Sequence, residues 1–172
     1  MKPGRGHFEQ CYNAQVAVDA AQQIIVAAAV TTNAADVGQL VPMTEQAAAN
    51  TAQRPDAVLA DAGYKSEANF VAMETGGIEA YISLGKGEGA RAEAEAQGGP
   101  STQRMGAKLR TDDGRHRFKR RKVIVEPPFG WIKQGLGFRA FSMRGHRKSA
   151  GEWSLVCLVM NLRRMRLALA TA

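Results

Sequence analysis

The stretch "YNAQVAVDA" sets Tyr12, Ala14, Val16 and Val18 against Asn13, Gln15 and Asp19. This alternation is the period of a strand with one face on a core, and it predicts a strand over 12–20. Shortly after it, "IIVAAAV" at 24–30 is apolar without interruption, which suits an interior strand, and the short link predicts a hairpin. The period then lengthens: Asn33 or Asp36 offers a cap for an alanine-rich helix over about 36–52, with Pro42 blurring its boundary. A strand is predicted at 57–60, a turn through Asp61, Ala62 and Gly63, a helix over 66–75 and a strand at 78–83. Ser66 is placed to open that helix, and Gly76 and Gly77 to close it. Strand, helix and strand make a βαβ unit with a parallel pair, and Asp61 falls at the carboxyl end of the first strand, where open α/β sheets place their ligands.

Residues 85–107 are Gly, Ala and Glu with almost no large apolar side chain, which predicts a flexible loop over 85–110 inside the domain. From about Thr111 a basic helical segment runs into Val125 and Glu126, where Pro127 and Pro128 are expected to force a kink or a restart. The last stretch, "KSAGEWSLVCLVMNLRRMRLALA", is helical and apolar over more than one face, so it is expected to pack on the sheet or on a partner. Trp131 and Trp153 are expected to be core anchors.

Length and composition narrow the classes. At 172 residues the chain suits a single domain with its own core. Cys11 and Cys157 are far apart with no metal or redox spacing, and the first residues lack the apolar run of a secretion signal, so a reducing, cytoplasmic setting is expected. "WSLVCLVMNL" is too short to span a bilayer, so no membrane partner is expected. His7, His116 and His146 lack metal-ligand spacing, and "GKGEG" lacks the pattern of a phosphate loop. Charge is divided unevenly: residues 1–100 carry six Lys/Arg against twelve Asp/Glu, and residues 101–172 carry seventeen against four. A cationic half of this kind is the electrostatic footprint of a surface that tracks a phosphate backbone. Charge alone leaves open a non-catalytic basic DNA- or RNA-binding protein.

Glu126 adds chemistry to that charge. It follows Val123, Ile124 and Val125 at the edge of an apolar run, where a carboxylate calls for a cation in "RHRFKRRK" or a metal shared with other acids. Together, "YNAQVAVD", "TTNAADVGQL", "LADAGYKSEANF" and "VEPPFGWIK" resemble the C-terminal part of the catalytic domain of a DDE-type insertion-sequence transposase, of the RNase H-like and retroviral integrase superfamily. The likeness runs from about Tyr12 to Leu167 and includes the late signature Glu126, Phe129-Gly130 and Lys133. It implies an α/β fold with an RNase H-like mixed sheet and flanking helices, metal-dependent strand cleavage and transfer in DNA transposition, and two Mg²⁺ ions. By the same resemblance Asp61 and Glu126 are the second and third catalytic, metal-binding acids, while Lys133 and Arg121 contact DNA.

The family's first aspartate lies on a strand ahead of the residues matched here. The expectation is therefore a truncated, catalytically deficient single domain over 1–172, its first strand missing or incomplete, with Asp19 as the one weak substitute. Its expected partners are DNA at transposon ends and either a second copy of the chain or a separately encoded N-terminal part. Its expected place is the bacterial cytoplasm, at the nucleoid.

Overall fold

The computed structural model describes residues 11–170; residues 1–10, which include His7, and residues 171–172 lie outside the described residues. The architecture is mixed α/β and divides into two compact units, 35–123 and the two segments that flank it in sequence.

In the flanking unit, β1 (Asn13–Val18) and β2 (Ile25–Thr31) form the expected antiparallel hairpin, with Val16 opposite Ala28 and a register shift at Ala17 and Val18. Asp19 builds the connection: its carboxylate accepts from the backbone N–H of Ala21 (3.1 Å) and Gln22 (2.7 Å). The helix α6 (His146–Ala170) closes the apolar side of the hairpin by burying Trp153, Cys157 and Met160 with Ile25 and Val30. Two polar contacts fix this docking. Trp153 Nε1 donates to the Gln15 carbonyl (3.1 Å), and the Asn161 amide donates to the Ile25 carbonyl (2.8 Å) while accepting from its N–H (2.7 Å). Trp153 is the expected core anchor, with Phe129, Phe138 and Phe141 around it at centroid distances of 5.9 to 6.5 Å. Trp131 is only half-buried and carries the Arg163 guanidinium over its ring.

In the unit 35–123 a 3₁₀ turn (Val37–Gln39) leads into α1 (Leu40–Thr51), so Pro42 falls in the first helical turn, where its missing N–H costs nothing. β3 (Ala57–Ala60) and β4 (Glu79–Ile82) are parallel, joined by α2 (Glu67–Thr75), as the pattern predicted. Ser66 Oγ accepts from the N–H of Asn69 (3.1 Å), and Gly77 takes the left-handed conformation (φ 68°) that ends the helix. The core is Phe70, Met73, Ile82, Leu84 and Met105 with Leu40 of α1. The four strands thus pair as two two-stranded ladders, β1 with β2 and β3 with β4, instead of the single mixed sheet expected.

Residues 85–110 depart from the predicted loop: they hold α3 (Glu88–Gln97) and α4 (Pro100–Arg110). The reason is partly local, since Ala, Glu, Gln and Arg are strong helix formers and Pro100 sits at the first position of α4. The rest is tertiary. Met105 enters the core, and the Glu67 carboxylate on α2 accepts from the N–H of Ser101 (2.8 Å) and from the N–H (2.9 Å) and hydroxyl (2.6 Å) of Thr102. A carboxylate from another helix thereby caps α4 and meets the positive end of its dipole.

Hydrogen bonding to Thr102 and Ser101 holds the Glu67 carboxyl below its ordinary value, while Arg104 and Ser101 do so for Glu74, and Lys108 for Glu79. A carboxyl depressed in the folded state stabilises that state fully above the unfolded value of 4.5 and loses its contribution as pH falls through the folded value. Acidification below 4.5 is therefore expected to loosen α4 from α2 and β4. Hydrogen exchange of the α4 amides, expressed at each pH as protection relative to the intrinsic rate, checks this, and Glu67→Gln should flatten the profile; protection that does not change with pH would contradict it.

The long helix α5 (Asp112–Gln134) runs through Pro127 and Pro128 without the expected interruption. Neither proline can donate to a carbonyl four residues back. Burial of Pro128 together with Ile132 offsets that loss. Among the described residues no helix is long and apolar enough to cross a membrane.

Candidate functional site

Asp61 is the residue directly after β3, and its exposed carboxylate Oδ1 accepts from the N–H of Gly63 (2.9 Å) to start a 3₁₀ turn over Ala62–Tyr64. A second acid stands beside it. A Cβ placed on Gly63 would lie 2.8 Å from Asp36 Oδ2 and 3.1 Å from Asp61 Oδ1, so both carboxylates approach one point, which only a glycine leaves open. Burial, and then the charges of Asp36 and Asp61, push the Tyr64 hydroxyl far above its ordinary value. Asp36, one of the two cap candidates with Asn33, makes no side-chain cap bond to the 3₁₀ turn that follows it.

One buried side chain ties the two acid-bearing loops together. Asn69 of α2 donates through Nδ2 both to the Val37 carbonyl (2.7 Å), next to Asp36, and to the Tyr64 carbonyl (2.7 Å), in the turn begun by Asp61. Sequence reasoning missed this clamp, and missed Asp36 as a neighbour of Asp61, because each relation joins residues from separate elements. The available signal was an Asn in the first turn of a helix that its neighbour Ser66 already caps.

Glu126 and Lys133 lie in the other unit, on α5, two helical turns apart. Gly130 lies between them on the same face, and Ile124, Pro128 and Ile132 face the opposite way and are buried. Consecutive residues on a helix diverge, so of Val123, Ile124 and Val125 only Ile124 reaches a core, and Val123 stays 69 % exposed. The Glu126 carboxylate is exposed and forms no ion pair among the described residues. Two of the cations upstream have other partners: Arg115 pairs with Asp112 and Arg117 with Asp113. Arg121, half-buried in the unit 35–123, lies over the Phe118 ring (5.7 Å), and its Nε is buried without a hydrogen-bond partner. Lys133 is exposed, with its ammonium 6.0 Å from the Phe129 ring centre.

Asp19, the weak substitute for a first acid, is committed to the hairpin connection. His146 contacts the Val30 carbonyl through Nε2 (2.7 Å), a structural contact. Among the described residues no three His, Cys, Asp or Glu side chains are gathered closely enough to hold a metal ion, but the Asp36 and Asp61 oxygens are of the hard type that a divalent cation such as Mg²⁺ prefers.

A family model described as "Transposase DDE domain" matches residues 2–162. No curated protein and no solved structure matches the chain.

Proposed function

The chain belongs to the transposase DDE-domain family, and on that premise we propose that Asp61 and Glu126 are the second and third acids of its strand-transfer chemistry. Transposition of DNA, with DNA as partner and a divalent metal as cofactor, is the activity of the family in general. The finer reading takes Mg²⁺ as that metal. When bound, it would stabilise the charge on the attacking and leaving oxygens of an in-line displacement at phosphorus.

The observation that carries this reading is the close pair Asp36 and Asp61, brought together at the end of a parallel strand over a glycine. Asp61 supplies the ligand oxygen, and Asp36 adds negative charge beside it. Lys133 and Arg121 contact DNA phosphate in this reading, Lys133 as an exposed point charge and Arg121 from its half-buried place beside Phe118. The order of hairpin, parallel βαβ unit and a late helix that carries Glu126 supports an RNase H-like single catalytic domain. Deficiency in cleavage is part of this proposal, since Asp19, the substitute considered for a first aspartate, is occupied in a turn. A second copy of the chain or a separately encoded segment completes the list of proposed partners. The rival reading, a basic nucleic-acid-binding protein without an active site, explains the cations but gives no reason for two carboxylates held side by side.

Titration with Mn²⁺, followed by its electron paramagnetic resonance signal, tests the assignment. The chain is expected to take up the ion at a site that Asp61→Asn weakens at least tenfold. Equal uptake by the two proteins would sink it.

A further inference from the structure

Leu155, Leu158, Leu162, Met165 and Leu169 follow one another along α6 at alternating steps of three and four residues. All five are exposed, from 50 % at Met165 to 78 % at Leu169, while α6 already spends its opposite face, Trp153, Cys157 and Met160, on the hairpin. A second apolar stripe with the strict three-four rhythm is the seam that one helix offers to another in a left-handed coiled coil.

We propose that this seam binds the same seam of a second copy of the chain, with the two α6 helices antiparallel. The antiparallel register sets Leu155 on Met165 of the second copy and Leu158 on its Leu162, and brings Leu169 over Gly151. That last position is already hollow. Lys148, Gly151, Glu152 and Leu155 line an open groove together with Met143 and Arg147, and a Cβ on Gly151 would meet nothing within 4 Å. Those first four residues have the spacing of the hole that receives a knob from a facing helix. The groove is thus where Leu169 of the second copy fits, and it accounts for a glycine in a helix interior that its own fold does not require.

Charge selects the same orientation. Glu152 and Arg166 occupy the same flanking heptad position, two heptads apart, so antiparallel helices bring Glu152 of each copy beside Arg166 of the other. In a parallel pair, Leu155 would meet Leu155 and these charges would stay apart. Two such seams face to face remove on the order of 1,000 Å² from water, which reaches the lower bound of specific interfaces. This inference rests on α6 alone and is independent of the reading of Asp61 and Glu126.

Sedimentation equilibrium of the full chain is expected to show a dimer, and Leu158→Glu with Leu162→Glu is expected to weaken it at least a hundredfold. Circular dichroism should stay unchanged, because both side chains are exposed. In a Cys11→Ser background, Leu155→Cys and Met165→Cys proteins should each resist disulfide dimerisation alone and cross-link when mixed. A wild-type chain that stays monomeric, a dimer that survives the double substitution, or Leu155→Cys cross-linking to itself as readily as to Met165→Cys would each overturn the proposal.

Discussion

Raising salt from about 50 to about 200 mM is expected to weaken binding of the chain to duplex DNA by roughly one and a half orders of magnitude. The reason is the cationic half of α5. Arg115 and Arg117 are held by Asp112 and Asp113, but Lys119, Arg120 and Lys122 are exposed and form no ion pair among the described residues. Each of these that meets a phosphate releases condensed counterions, and the logarithm of the affinity then falls by about 0.9 per contact for each decade of salt. Replacing Lys119, Arg120 and Lys122 by Gln should therefore flatten the slope by roughly 3 and weaken binding similarly for every DNA sequence. Fluorescence anisotropy with a labelled duplex measures both effects. Affinity that is indifferent to salt would show that the charge division has another purpose.

Asn69→Leu should have the largest effect on the acid pair short of removing an acid. Asn69 is 7 % exposed and gives its two amide hydrogens to two different loops, so Leu keeps most of the volume and loses both bonds. The expected loss of stability is roughly 1–3 kcal/mol by urea unfolding. A second readout separates clamp from core: if Asn69 holds Asp36 beside Asp61, Mn²⁺ uptake by the folded variant should fall as well. Full stability, or unchanged Mn²⁺ uptake, would show that the loops keep their places without the amide.

Legibility in the sequence followed the range of the interactions. The hairpin and the βαβ unit were readable because the alternation of Ala14, Val16 and Val18, and the Ser66 cap before α2, are written within a few residues. The position of Asp61 at the end of β3 is legible for the same reason, since a strand and a glycine turn bracket it. The helices α3 and α4 were hidden because Glu67, which caps α4, lies more than thirty residues before Ser101 and Thr102. Pro127 and Pro128 misled because local rules price a missing donor and do not register the burial of Pro128. Val123, Ile124 and Val125 form a continuous apolar run in sequence, which sets Glu126 at the edge of an apolar face, whereas a helix turns each of them a different way. The Asp36 and Asp61 pair depends on Asn69 from a third element, and no periodicity records that.

The grip of Asn161 on Ile25 has a consequence for how this chain would fail. By taking both the N–H and the C=O of Ile25, the amide imitates one residue of a neighbouring strand on the outer side of the hairpin. An incoming β-segment cannot zip along that border while α6 remains seated. Amyloid-like or strand-swapped growth from the hairpin should begin only after the helix peels away, and substituting Asn161 should shorten the lag before aggregates form.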